Sequence, residues 1–292
     1  MISEGIYEQS SPTEEATLST LFLPGYTIGT KPIIDIGLTE TIFEQQIHGQ
    51  YYPTLQSGPH TADKVALSYI PTDARFLYWM MGKQTASTGT RTISNMDGTA
   101  RKPYLSLWKQ TNNLKRHVYG VPIEQMSLTM EQGKHPIVRL MGKGMKVATD
   151  SFTPTISHTV SSPFDVLNAM TWDGDSYEPY GLTVNLKQSI TPINDYSGVY
   201  QEFHDQTMIS GSLNMVCGAT NGETAIADWT AKTAKTFSFT LKKSSEPTHQ
   251  IVGTFNNARI QDVVVNEVIG REPIYNIVAL IESASFEVTD GI

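Results

Sequence analysis

Seven histidines, one cysteine and 29 carboxylates are the groups in this chain that could bind metal, attack a substrate or move a proton. Their spacing supports none of these tasks. His48, His60, His117, His135, His158, His204 and His249 form no His-x-x-x-His pair, so no helix turn offers two imidazoles to a metal. His204-Asp205 lies in a polar stretch and reads as a solvated pair. Asp173-Gly174-Asp175 opens like a calcium loop but lacks the later ligands. Cys217 stands alone, which excludes an intrachain disulfide and a cysteine zinc site; it reads as a small core residue near a strand end. There is no Gly-x-Ser-x-Gly, no glycine-rich phosphate loop and no supported carboxylate pair. The sequence therefore predicts no catalytic residues, no metal and no cofactor.

The bulk properties point to a packed, non-enzymatic β protein. At 292 residues one or two domains are expected, and 39% apolar with 9% aromatic residues can build a core. Ser, Thr, Gly and Asn are plentiful while helical periodicity is scarce, which favours an all-β chain with small helices. The net charge of −8, from 21 basic and 29 acidic residues, argues against tight nucleic-acid binding. No apolar run is long enough to span a bilayer, and Met1–Gly5 lacks the basic start and apolar core of a signal peptide. Assembly in a cytoplasm is the expectation.

A repeat organises the elements. Leu105-Ser106-Leu107, His117-Val118-Tyr119-Gly120 and Gly133-Lys134-His135-Pro136-Ile137 find echoes later. These are Phe237-Ser238-Phe239, Gln250-Ile251-Val252-Gly253 and Gly270-Arg271-Glu272-Pro273-Ile274. Met126, Leu128 and Met130 alternate with polar residues, as do Phe237, Phe239 and Leu241, so each reads as a strand with one buried face. After each Pro an apolar run, Ile137–Leu140 and Ile274–Ile281, suggests a strand covered on both sides.

The rest of the chain fits a doubled order of strand, long connection, strand, helix and three strands. Ile33–Ile42 and Val65–Ile70 read as strands joined by the polar stretch Glu44–Asp63. Leu182–Ile190 and Ser212–Val216 are joined by Thr191–Ser210 in the same way. Connections this long are usually functional. Pro71-Thr72-Asp73 predicts a helix start, with Thr72 or Asp73 as N-cap and Gly82 as the stop. A second helix is expected from Asn221–Glu223 through Trp229, with Trp79 and Trp229 in corresponding places, each packing its helix onto the sheet. Lys83–Arg101 reads as an exposed loop with no counterpart in the second half. Phe164–Trp172 with Asp173-Gly174 reads as a hairpin. The expected division is an N-terminal arm at 1–31 held by a neighbouring subunit, a first module at 32–148, a linker at 149–157 and a second module at 158–292.

Several of these stretches carry a resemblance. They are Ala66-Leu67-Ser68-Tyr69-Ile70 leading into Trp79-Met80-Met81-Gly82, Tyr104–Lys109, the Tyr119-Gly120 to Leu140 hairpin, and Phe164–Asn185. In this pattern the chain resembles the tail tube proteins of long-tailed viruses of bacteria and archaea. The resemblance covers most of the chain from about residue 32. It implies tandem β-sandwich modules, each with one flanking helix, whose sheets join neighbours into an inner β-barrel. It also implies rings stacked into a hollow tail tube through which viral DNA passes without specific binding. Two modules per chain imply a trimeric ring with pseudo-sixfold symmetry, and the tape measure protein and tail terminator as further partners, in a virion tail.

Beside that resemblance, the long connections supply candidate ring-to-ring residues: Tyr51, Tyr52, Pro53, Tyr200 and Phe203. Candidate channel-facing acids are Glu40, Glu44, Asp195 and Glu202, since an acidic lining would keep DNA from sticking. Another tail ring component, such as a terminator or baseplate ring, remains open as a reading. So does a two-domain carbohydrate-binding β-sandwich using the loop aromatics as a sugar platform.

Overall fold

The computed structural model describes residues 9–15, 30–45, 54–87, 89–95, 103–111, 114–144, 146–148, 162–177, 179–194, 200–205, 209–267 and 271–289. The chain opens with β1 (Gln9–Glu15), β2 (Thr30–Gln45), β3 (Thr54–Ile70), α1 (Arg75–Met81), β4 (Gly82–Ser87) and β5 (Thr90–Asn95). Next come β6 (Tyr104–Thr111), β7 (Leu114–Val121), β8 (Ile123–Glu131), β9 (Ile137–Gly144) and β10 (Lys146–Ala148). The second half holds β11 (Val166–Trp172), β12 (Asp175–Ser176), β13 (Gly181–Lys187), β14 (Ile190–Asn194), β15 (Tyr200–Asp205) and β16 (Ser210–Cys217). It ends with α2 (Ala219–Ala231), β17 (Lys235–Lys242), β18 (Gln250–Asn266), β19 (Ile274–Ile281) and β20 (Ser283–Thr289). Among the described residues the chain is mostly β with two helices, as its composition implies.

Period-two alternation builds the sheets. Met126, Leu128 and Met130 on β8 are buried, as are Val138 and Leu140 on β9, Leu182, Val184 and Leu186 on β13, and Leu213 and Met215 on β16. Between them Ser127, Thr129, Arg139, Asn185 and Asn214 face solvent to varying degrees. The largest sheet runs β12-β11-β17-β18-β19-β16-β13-β8-β9-β3-β2, with β20, β5 and β4 branching from β18. A separate sheet runs β1-β6-β7-β10. The sheets share one core in a sandwich-like arrangement. Phe237, Phe239, Phe255 and Phe286 fill its second-half side, with Phe255 and Phe286 edge to face at 5.7 Å.

The two halves list their strands in the same order. β2-β3-β9-β8 is matched by β13-β16-β19-β18, and β1-β6-β7-β10 by β11-β17-β18-β20. The irregularities match as well. β8 bulges between Ile123 and Gln125 against β9, and β18 bulges between Ile260 and Asp262 against β19. β6 shifts register between Leu105 and Leu107, and β17 between Lys235 and Phe237. Gly120 (φ 68°), just before the β7–β8 corner, has its counterpart in Asn257 (φ 51°), inside β18. At this corner the chain passes from one layer to the other, and a left-handed residue makes the turn.

This geometry corrects the internal alignment expected from sequence. Leu107 corresponds to Phe237, not to Phe239, and Gly120 corresponds to Asn257, not to Gly253. The seven-residue connection between β17 and β18, longer than that between β6 and β7, hides the shift. The Gly-x-x-Pro-Ile match stands, because Ile137 and Ile274 both begin the strand that follows. Those strands are not covered on both sides: Ile137, Ile274 and Leu280 are exposed, so one face of each meets solvent.

Other expectations also change. Glu44–Asp63 is not a long loop, since β2 and β3 stay paired out to Gln45 opposite Thr54. The stretch carries no apolar stripe, so its sequence looks like a loop. Pro59 falls at an irregularity in that pairing, where no ladder donor is needed. Thr191–Ser210 likewise contains the β14–β15 hairpin. Within Lys83–Arg101, β4 and β5 form a hairpin that pairs with β20, and Ile93 is buried. The first helix is capped by Ala74, although Asp73 Oδ1 still accepts the Arg75 amide at 3.0 Å. The second begins at Ala219, whose amide donates to Glu272 Oε1 at 3.0 Å. Trp79 packs into the core but Trp229 does not; it is 47% exposed. β1, part of the expected arm, pairs with β6 of its own chain. The Asp173-Gly174 hairpin forms as expected, with both turn residues at positive φ.

Candidate assembly site

The strand order contains one seam. β13, the second-half counterpart of β2, pairs antiparallel with β8 of the first half from Gly181 opposite Glu131 to Lys187 opposite Gln125. On the core side Leu182 meets Met130, Val184 meets Leu128 and Leu186 meets Met126. On the other side Thr183 Oγ1 donates to Thr129 Oγ1 at 3.4 Å. The pairing continues past the strands. The Gln132 amide donates to the Tyr180 carbonyl at 3.0 Å, and the Gln188 amide to the Glu124 carbonyl at 2.9 Å. Buried Gln188 also donates its side-chain amide to the Ile123 carbonyl at 2.5 Å, satisfying the acceptors that the β8 bulge turns aside.

The same two edges are open at the ends of the run. Among the described residues, β2 pairs only with β3, and β18 beyond Arg259 pairs only with β19. Open edges expose unpaired amides and carbonyls and invite another strand. Apolar side chains mark both: Ile33 on β2, and Val264 and Val265 on β18. Val265 holds the place of Leu128 in the seam, because Thr129 and Asn266 lie opposite the matching residues Ile137 and Ile274.

The solvent face of the seam forms a shallow depression lined by Ser127, Arg139, Asn185, Lys187 and Ser212, among others. Lys64 and Lys143 add positive charge to this face, and Asp35 and Asp262 negative charge; Lys143 lies 3.5 Å from Glu124. Buried polar chemistry lies elsewhere. Ser106 Oγ and His117 Nε2 are 2.6 Å apart, which on a surface would suggest a nucleophile and its base, but both residues are fully buried. Tyr177 and Cys217 form a second buried pair at 3.4 Å. Burial first, and then the bond to Cys217, push the Tyr177 hydroxyl up; burial pushes the Cys217 thiol up. At the surface Lys235 is also pushed up, chiefly by its bond to Asp173 at 2.9 Å. Among the described residues no group of three His, Cys, Asp or Glu could hold a metal ion. No helix there is long and apolar enough to cross a membrane.

Of the residues singled out from sequence, Glu40, Glu44, Tyr200, Glu202 and Phe203 fall on the ribbons beside this sheet. Tyr51, Tyr52, Pro53 and Asp195 lie outside the described residues. Tyr200, Glu202 and Phe203 lie together on β15, opposite Asn194, Ile193 and Pro192. Glu40 and Glu44 lie on β2 opposite His60 and Leu55, beyond the part of β3 that pairs with β9. Sequence reasoning missed the edge residues Ile36, Val264 and Val265. The repeat could have found them, once aligned on Gly-x-x-Pro-Ile and read back to the preceding strand. No known protein-family model matches the chain, and no curated protein matches it.

Proposed function

We propose that this chain is the structural subunit of a viral tail tube, assembled from copies of itself. The observation that carries the reading is the β13–β8 seam, together with the open counterparts of both its strands at the ends of the same run. In this reading the chain is a tandem pair of one β module, and the seam is the first of a series of identical joints. β2 of one copy docks on β18 of the next. Carrying over the seam register sets Ile36 opposite Val265, and Asp35 opposite Asn266. A head-to-tail contact repeated about an axis closes a ring and pairs both of these open edges. Three copies supply six modules around one inner barrel.

The uncovered face of the sheet then lines the channel, and stacked rings form the tube that conducts viral DNA. Hydroxyl and amide side chains such as Ser127, Asn185, Ser212 and Asn214 suit a wall that must not grip phosphates. Because Lys64, Arg139, Lys143 and Lys187 share this face, an acidic lining needs further acids, for which Glu40, Glu44, Asp195 and Glu202 are the candidates. The β2–β3 and β14–β15 ribbons reach toward the adjacent ring in this reading, and Tyr51, Tyr52, Pro53, Tyr200 and Phe203 are the candidate contacts. Tape measure and terminator proteins are the further partners of this reading, and the virion tail its location.

Electron microscopy of the concentrated full chain tests it. Rings of three chains, stacking into hollow tubes, are expected. Monomers at every concentration, or rings of six whole chains, would overturn it.

A further inference from the structure

Both helices end in the same way. Trp79 sits two residues before the last residue of α1, and Trp229 two before the last of α2. Each helix is closed by a left-handed residue, Gly82 at φ 86° and Lys232 at φ 55°. Their surroundings differ. Past Gly82 the chain makes the β4–β5 hairpin, which packs on α1 and pairs through β5 with β20 of the second half. This hairpin bridges the seam on the helix side, beside the helix that carries buried Trp79. Past Lys232 the chain enters β17 within three residues, with no hairpin between. Trp229 is left over a surface groove lined by Asp228, Lys232, Thr233, Arg259 and Ile260.

Two charged members of this groove already have partners. Asp228 accepts from Trp172 Nε1 at 2.7 Å and lies 3.9 Å from Lys235 Nζ, and Arg259 Nη1 donates to the Lys232 carbonyl at 3.4 Å. The large apolar surface of the groove is the exposed indole of Trp229 beside Ile260. Arg259 and Ile260 are also the first residues of the open β18 edge.

We infer that the Trp229 groove is a second contact between copies, covered by the first half of the neighbour that docks on β18. The inference rests on the head-to-tail reading. It follows from the seam: a neighbour placed on β18 as β13 is placed on β8 brings its β10, the counterpart of β20, toward α2. Among the described residues, β10 pairs only with β7, so its other edge is free to face the groove. Within one chain the hairpin fills this place; between chains the groove takes the partner directly. An exposed indole next to a strand edge is the kind of anchor that carries assembly energy.

Hydroxyl-radical footprinting of the full chain, dilute and assembled, tests this, with Trp229→Ala as the variant. Trp229 lies on the surface, so the variant should fold with an unchanged melting temperature. The oxidation of Trp229 should fall about tenfold on assembly, and the variant should need about tenfold more protein to assemble. Normal tubes in which Trp229 oxidises as readily as in dilute protein would overturn this contact and leave the head-to-tail reading standing. A wild-type chain that never assembles would overturn both.

Discussion

β8 and the C-terminal part of β18 occupy the same place in their halves, with the same partner strand and the same bulge. Their environments are opposite. Leu128 on β8 is 0% exposed, and its counterpart Val265 on β18 is 37% exposed. Met130 is buried where Glu267 is exposed. The difference comes from one neighbour, since β13 lies against β8 and nothing described lies against the β18 edge. The sequences have followed. β8 alternates Met126, Leu128 and Met130 inward, as a central strand must, while the matching positions of the second half are Val263 and Val265 on β18 and Glu267 just past its end. Charges on an edge strand discourage random pairing without forbidding a matched partner. One fold position thus serves as a permanent joint inside the chain and as a surface at its end.

The largest expected effect breaks the permanent joint. Leu128→Ala should destabilise the folded chain by about 3 kcal/mol, the usual cost of emptying a buried leucine site. Val265→Ala should cost the isolated chain less than about 1 kcal/mol, since its side chain is already partly in water. Urea unfolding of dilute protein measures both. Equal losses would mean that the two strands do not differ as their exposure implies. Val265→Lys sharpens the contrast: unfolding should change little, while sedimentation should show that assembly is lost.

A second test concerns the packing beneath β19. Cys217 lies opposite Tyr275, whereas the first half sets Tyr69 opposite Val138, so the large residue changes strands between the halves. Tyr275 has room only because α2 carries glycine at 222; an added Cβ there would sit 2.1 Å from the ring. Gly222→Ala should therefore cost roughly 1–3 kcal/mol by overpacking, despite the better helix propensity of alanine. A gain in melting temperature would show that the ring moves freely.

Smaller effects belong to the corner where each half changes layer. Gly120→Ala should cost about 1 kcal/mol, because a Cβ disfavours positive φ. Asn257→Gly at the matching position should cost about 0.5 kcal/mol, since glycine accepts the positive φ but the exposed bond from Asn257 Nδ2 to Glu282 Oε2 at 2.7 Å is lost. Thermal melts of the two variants compare the corners directly.

These positions also show what the sequence could and could not convey. Alternation at Met126–Met130 and Phe237–Leu241 gave the buried faces, and Gly-x-x-Pro-Ile gave the repeat, because both are local patterns. The correct offset was not legible: it depends on paired bulges and on a left-handed corner filled by Gly120 in one half and Asn257 in the other. The outer β2–β3 ribbon lacked an apolar stripe and read as a loop. Trp229 looked like Trp79 because each stands two residues before a helix end, and nothing in that local pattern tells the buried one from the exposed one. The seam itself, β13 on β8, joins distant strands that carry no local mark of being neighbours.

The last effect vanishes at neutral pH and separates the halves by titration. The second half buries an ionisable pair, Tyr177 and Cys217, where the strand position of Cys217 is filled in the first half by Tyr69. Burial favours the protonated form of each, so both folded pKa values lie above the unfolded ones. A raised folded pKa gives stability that is complete below the unfolded pKa and is lost as pH climbs above it. For the thiol that threshold is its ordinary 9.0, and for the phenol 10.0. Above pH 9 the unfolded chain releases the Cys217 proton while the folded chain keeps it. Stability should then fall by up to about 1.4 kcal/mol per pH unit for this group. Cys217→Ala removes this contribution, and whatever cavity it leaves costs the same at every pH. Urea midpoints at pH 7, 8, 9 and 10 should therefore decline less steeply for the variant than for the wild type between pH 9 and 10. Below pH 8 the two curves should run parallel. Parallel curves throughout would mean that the thiol ionises as easily in the folded chain as in the unfolded one, and that its burial in the β16 strand end is incomplete in solution.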